Sequence, residues 1–260
     1  MTFTILSRED ASSERIAEKI TQALEKKGLV REDKHPDFIF FVGGDGTFLR
    51  AVQDHINVVD RAIFVGIHSG SLGFFCEYGH HDVDQLLKDI PSLSSRASTY
   101  QLVELYLETT QPKTYYAVNE VRIENPFQTL VTRVLIDDKE VETFRGTGLI
   151  VSSTLGSSAY NRSLGGALVD GHIPTLQLTE MAAIQNTVYR SLGSSLVLHP
   201  NRVIRLKGDF SSAIFGFDHQ LHESSTPITE VRVRLSEKTI KIVHQFKHSY
   251  VETIRKTFIQ

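Results

Sequence analysis

The sequence has a single cysteine, Cys76, so it can build neither an internal disulfide nor a multi-cysteine zinc site. Proline is scarce at 7 residues and glycine ordinary at 17, which excludes collagen-like and low-complexity classes. Positive charge is not in excess. The 28 Lys+Arg against 31 Asp+Glu give a net charge of −3, which argues against a nucleic-acid binder held by bulk charge. No apolar run approaches the length needed to span a bilayer. The opening MTFTILSREDASSERIAEKI lacks the basic start and apolar core of a signal peptide. A cytoplasmic protein with no membrane or nucleic-acid partner is expected. Against these absences stand 260 residues, 40% of them hydrophobic, enough for one large or two modest domains with real cores.

The first ninety residues alternate strand and helix. Strands are predicted at 2–6, 38–42 and 62–67, the last two apolar throughout, as strands buried on both faces are. Helices are predicted at 10–27, ending on Gly28, at 47–52 and at 81–90. This alternation implies parallel pairing in an open, Rossmann-like α/β sheet. A polar linker follows at 91–98, and then the pattern becomes that of strands, at 102–108, 115–124, 130–137 and 141–144. Further strands are expected at 176–180, 195–198, 202–207, 213–217 and 229–244, with helices at 157–164 and 249–259. The fold class is therefore α/β followed by β: an α/β domain over 1–95, a β-rich domain over 96–245 and a final helix within 246–260.

The strongest chemical signal is Val42-Gly43-Gly44-Asp45-Gly46-Thr47, a glycine turn between a buried strand and a helix. Its glycines let the main chain approach a ligand, and the helix that follows offers free N–H groups to phosphate. A carboxylate makes little sense as a phosphate ligand. Asp45 instead suits a base for a hydroxyl, or a partner to magnesium, and together these point to phosphoryl transfer to an alcohol. A turn that merely favours Gly and Asp is the plainer reading. At ordinary glycine frequency, however, such a motif recurs by chance on the order of once in a few thousand chains. No Lys-Ser/Thr follows the glycines and there is no G-x-G-x-x-G, so this is neither a P-loop nor a dinucleotide fingerprint.

Three further segments follow in order: Ser69-Gly70-Ser71-Leu72-Gly73-Phe74, Asn119-Glu120-Val121, and a Gly/Ser/Thr-rich stretch from Gly146 to Gly166. With the glycine loop and Gln177–Ala182, they make the chain resemble the NAD kinase family, in its short bacterial form, over roughly residues 38–220. The resemblance implies a two-domain fold whose chain end returns to the first domain, ATP and NAD as substrates, a divalent metal such as Mg2+ with no dedicated protein site, and a homo-oligomer (dimer or tetramer). By the same resemblance Asp45 would take the proton of the adenosine 2′-hydroxyl as that oxygen attacks the γ-phosphate. Gly43, Gly44 and Gly46 would shape the phosphate-facing loop, and Asn119 and Glu120 would hold adenine and ribose. Ser158, Ala159, Tyr160, Ser163 and Ala182 would line the NAD pocket. Phe74 would stack on adenine, while Arg145 and His219 would reach phosphate.

Most of these residues have plainer readings. Asn119-Glu120 alone reads as a surface strand end, Tyr160 as a structural tyrosine, and Phe74 or Phe75 as core. Arg145 reads as a surface arginine and His219 as a solvent-exposed histidine. His80-His81 are expected to start a helix with their rings apart, and Cys76 to be an inert buried thiol. Three positions depart from the family pattern. Thr147 stands where it has a carboxylate, Leu155 where it has proline, and Ser71 where it often has histidine, with His68 in place of the usual asparagine. Two other functions remain open here: a lipid or sugar kinase sharing the glycine loop, and a non-catalytic dinucleotide-binding sensor.

Overall fold

The structure is a computed structural model that describes residues 1–70, 73–223, 226–243 and 250–259. Two compact units form, one of Met1–Tyr100 with Lys238–Gln260 and one of Gln101–Glu237. Both divisions lie within long strands, β6 (Ala97–Glu108) and β17 (Glu230–Val243), and not in the polar stretch near 95; the boundary expected at 245 lies outside the described residues.

In the first unit, β1 (Thr2–Ser7), β2 (Val30–Arg31), β3 (Phe38–Gly43), β4 (Ile63–His68) and the end of β17 form a parallel sheet in the order β17-β4-β3-β1-β2, with β5 (Tyr78–Gly79) beside β4. All six residues of β3 are buried, because the sheet is covered on both faces. Phe38, Phe40 and Val42 pack with Ile20 and Leu24 of α1 (Ala11–Lys26) and Leu86 of α3 (Val83–Asp89). Phe41 faces the other way, onto Phe48 of α2 (Asp45–Asp54), with ring centroids 5.2 Å apart. Phe48 in turn meets Phe64 at 5.8 Å and stacks on Phe75 at 4.3 Å. Helix α1 starts where its sequence says: the Asp10 carboxylate accepts the N–H groups of Ser12 and Ser13. Gly28, at φ +86°, ends it.

The second unit is built from two antiparallel sheets that share one apolar core. One contains β9 (Leu130–Ile136), β10 (Lys139–Gly146) and β14 (Ile204–Gly208), with β6 paired to β7 (Lys113–Ala117). The other runs β13-β12-β11-β8-β15-β16. Its strands are β8 (Glu120–Glu124), β11 (Gly148–Ser153), β12 (Leu176–Met181), β13 (Leu196–Leu198), β15 (Ile214–Phe217) and β16 (Gln220–Glu223).

The α/β-then-β architecture is the one expected, and several elements differ from expectation. The strand predicted at 115–124 is two strands in different sheets, and the chain crosses between them at Val118-Asn119. The linker at 91–98 is not free chain: it holds 3-10 turns at Ile90–Ser92 and Ser94–Arg96 around the buried Leu93. The helix expected from 81 begins at Val83, so His80 and His81 sit on a turn. A turn does not separate neighbours as a helix does, and the two rings meet with centroids 3.5 Å apart. The helix expected at 157–164 is a 3-10 turn, Leu155–Ser158, followed by the single turn α4 (Tyr160–Ser163). The last helix, α5 (Tyr250–Phe258), brings Phe258 to 5.7 Å from Phe74 within the first unit.

Because Phe48 fills the centre of an aromatic cluster, Phe48→Ala should destabilise the protein by about 3–5 kcal/mol. Urea unfolding of parent and variant measures this. A loss below about 1 kcal/mol would mean that the cluster collapses around the gap.

Candidate active site

Two groups of residues carry the expected chemistry, one in each unit. In the first, β3 delivers Gly43 to a tight turn, Gly44 caps α2 without a side chain, and Asp45 is its first helical residue. A Cβ on Gly44 or Gly46 would meet nothing within 4 Å, so the loop has open space beside it. The Asp45 carboxylate is not free to wander. Its oxygens accept the N–H groups of Phe74, at 3.1 Å, and Phe75, at 3.2 Å. Gly73 makes that approach possible, since a Cβ there would lie 2.3 Å from Asp45 Oδ1. Burial raises the Asp45 pKa above the usual carboxylate value, against the opposing pull of the two N–H groups. A carboxylate that is held still and made more basic suits proton abstraction.

The surrounding residues sort themselves by burial. Phe75 belongs to the core through its stack on Phe48, while Phe74 is half-buried, with its ring 5.7 Å from that of Phe258. Cys76 is buried, with its thiol 3.6 Å from Gly43 O. Burial first, and the charges of Asp45 and Glu77 after it, push its pKa far above the range of a reactive thiol. His68 Nδ1 lies 2.8 Å from Gly70 O, while Ser71 is outside the described residues.

In the second unit, Asn119 and Glu120 lie at the crossing between sheets, 8% and 5% exposed. They are not a surface strand end. Neither Asn119 Oδ1 nor Glu120 Oε2 meets a protein hydrogen-bond donor. Two buried acceptors without partners are costly, and their arrangement suits a ligand that supplies the donors. Burial, and then the charge of Asp218, push the Glu120 pKa up to about 8, against the pull of Arg122 and the Tyr160 N–H. Gly156 closes the other side of Asn119, where a Cβ would lie 2.0 Å from Asn119 O.

Of the other expected pocket residues, Ser158 and Ala159 are half-buried, and Ser163 and Ala182 are exposed. Tyr160, 39% exposed, has its ring 5.8 Å from the Arg122 guanidinium. Thr147 joins β10 to β11, its N–H donating to Met181 O at 3.0 Å and its carbonyl accepting from Asn125 N at 2.8 Å. Arg145 is engaged within the fold, its guanidinium 4.4 Å over the Tyr189 ring. His219 is exposed on the hairpin joining β15 to β16. Sequence reasoning gives no role to Gly73, Arg122 or Asp218, although Gly73 lies in the Ser69–Phe74 segment and Asp218-His219-Gln220 matches a late Asp-x-Gln segment of the family pattern.

Among the described residues no three His, Cys, Asp or Glu side chains converge as a metal site. No helix there is long and apolar enough to cross a membrane.

The raised Glu120 pKa has a consequence for stability. The folded state holds the Glu120 proton up to about pH 8, while the unfolded chain releases it near the ordinary value of 4.5. Stability from this group is therefore complete below pH 4.5 and is lost as the pH rises through about 8. Thermal melts of parent and Glu120→Gln between those limits should diverge, the parent losing more. Parallel curves would show that Glu120 ionises normally.

The family model of the ATP-NAD kinase C-terminal domain matches residues 118–245. Along its whole length the chain is 33% identical to NAD kinase 1 of Bacillus cereus, covering 100% of this chain and 99% of that protein. It is 32% identical to the NAD kinase of Shouchella clausii, with the same coverage. Among solved structures, yeast NADH kinase complexed with NADH superposes with a TM-score of 0.84, at 18% identity, over 99% of this chain and 87% of that one. An NAD kinase from Archaeoglobus fulgidus in complex with ATP gives 0.77, at 22% identity, over 95% of each chain. These two share the fold, and the full-length identities carry the kinship: the chain belongs to the NAD kinase family.

Proposed function

We propose that this protein is an ATP-dependent NAD kinase, and that Asp45 is its general base. The observation that carries the assignment is the Asp45 carboxylate, fixed by two main-chain N–H groups at the start of a glycine turn and made more basic by burial. As the adenosine 2′-hydroxyl loses its proton to Asp45, its oxygen forms a bond to the γ-phosphorus of ATP. The bond from that phosphorus to the β,γ-bridging oxygen breaks, and ADP leaves. The protein does little covalent chemistry, so positioning and charge stabilisation supply the rate.

Asn119 and Glu120 hold the adenosine of NAD, whose donors answer the two unpartnered acceptors. With its carboxyl protonated, Glu120 can also donate. Tyr160, Ser158, Ala159, Ser163, Thr147 and Ala182 line the dinucleotide, and Phe74 offers a half-exposed ring to a base. His219 is open to solvent and can donate to a phosphate. Arg145 does so only by leaving the Tyr189 ring, so its part is the weakest of the set. Among the described residues no three His, Cys, Asp or Glu side chains converge to hold an ion. Magnesium would enter with the ATP phosphates and neutralise their charge, as suits an ion that prefers substrate phosphate and water. The lone buried thiol fits a reducing cytoplasm. We also take the working form to be a homo-oligomer, a dimer or tetramer, for which light scattering gives the mass.

Purified protein with NAD, ATP and magnesium should yield NADP. Asp45→Asn should lose roughly two to four orders of magnitude in turnover while still binding NAD. Turnover within a few-fold of the parent would remove Asp45 from the mechanism. Alanine at Asn119 or Glu120 should raise KM for NAD more than KM for ATP. Equal effects on both substrates would return the pair to a structural role.

A further inference from the structure

Asp218 is buried and stands in a left-handed conformation, φ +51°, in the hairpin between β15 and β16. Its carboxylate accepts two main-chain hydrogen bonds, Val118 N–H to Oδ2 and Asn119 N–H to Oδ1, each 2.8 Å. Its own N–H donates to Glu120 O at 3.1 Å. The carboxylate thus holds the chain just where it crosses between sheets, and the hairpin touches three consecutive residues, the last two being Asn119 and Glu120. We propose that Asp218 is a positioning residue of the dinucleotide pocket: it touches no substrate, but aims the Asn119 amide and sets the field in which the Glu120 carboxyl works. This rests on the reading of Asn119 and Glu120 as NAD residues.

The geometry is specific. Val118 and Asn119 have left one sheet and not yet joined the other, so their N–H groups have no ladder partners, and buried N–H groups must find acceptors elsewhere. A carboxylate with two oxygens answers both donors at once. The remaining main-chain groups are met by Ser153, whose hydroxyl donates to Val118 O at 2.6 Å and whose N–H donates to Asn119 O at 2.9 Å. The Asn119 side chain projects from a main chain fixed on both sides.

The second effect is electrostatic. The charges facing the Glu120 carboxyl are Asp218 from the hairpin and Arg122 from β8 itself, together with the Tyr160 N–H. Its partner on β11 is the uncharged Ser152. Burial first, and the charge of Asp218 after it, disfavour the ionised form of Glu120.

The test is steady-state kinetics on Asp218→Asn and Asp218→Gly, residues that tolerate a positive φ better than most. Asparagine keeps the volume but brings an NH2 against one of the two N–H donors; glycine removes the clamp. Both should raise KM for NAD by about tenfold, the scale of a small misplacement of binding groups, with KM for ATP unchanged. The pH at which NAD affinity changes should lie lower in both variants than in the parent, because the like charge beside Glu120 is gone. A purely structural aspartate would lower the melting temperature without splitting the two Michaelis constants or moving that midpoint. Unmoved constants, equal rises for both substrates, or failure of both variants to fold would each overturn the proposal. A parent protein that binds no NAD would instead sink the reading of the pocket itself.

Discussion

A polypeptide that leaves one β-sheet for another must find acceptors for the N–H groups stranded in between. In the second unit this happens at Val118-Asn119, and the shape of the pocket depends on how it is solved. Asp218 takes both N–H groups, Ser153 satisfies both carbonyls, and Gly156 makes room for the main chain to lie close. With every main-chain group answered, the side-chain oxygens Asn119 Oδ1 and Glu120 Oε2 are left over. The accounting that completes the backbone also presents the two residues with unmet capacity.

The first unit uses the same economy on a carboxylate. Asp45 stands at a helix N-terminus, where the dipole favours its charge, yet burial outweighs this and makes it more basic. The N–H groups of Phe74 and Phe75 hold it without neutralising it. Gly73 permits the contact, much as Gly156 permits the contact at Asn119. In both units, then, a glycine far along the chain leaves room for a candidate site residue, for the side chain at Asp45 and for the main chain at Asn119.

These facts explain what was legible in the sequence. Runs such as Phe38–Val42 declare a strand covered on both faces, and the glycine loop declares a turn into a helix with Asp45 at its start, because each signal is local. The break at 118–119 is not local. Residues 115–124 read as one continuous strand, and the group that interrupts them is a hundred positions away. The brief strands Val30–Arg31 and Tyr78–Gly79 have no room for a period, and the rings of His80 and His81 meet because a turn, not a helix, carries them. Asp218-His219-Gln220 reads in the sequence as a strand end matching a family segment, with a chemical role only for His219. The buried neighbour, with no solvent to satisfy, does the organising.

Two departures from the family pattern, Thr147 and Leu155, fall where the main chain is fixed by other means. Thr147 stands in place of a carboxylate, yet its N–H and carbonyl are bonded to Met181 and Asn125, so the path of the chain there does not depend on the side chain. At Leu155 the family's proline is missing. The turn is held instead by Thr154, whose hydroxyl donates to Ile173 O at 2.6 Å and accepts from Thr175 N at 2.9 Å. A proline stiffens such a turn by narrowing the choices of the unfolded chain, whereas the threonine does so by bonds within the folded one. In the proposed mechanism Asp45, Asn119 and Glu120 have no such substitute, because there the side chain is itself the functional group. Thr147 and Leu155 thus depart from the family where bonds elsewhere fix the path of the chain, and not at the side chains to which the proposed mechanism gives the chemistry.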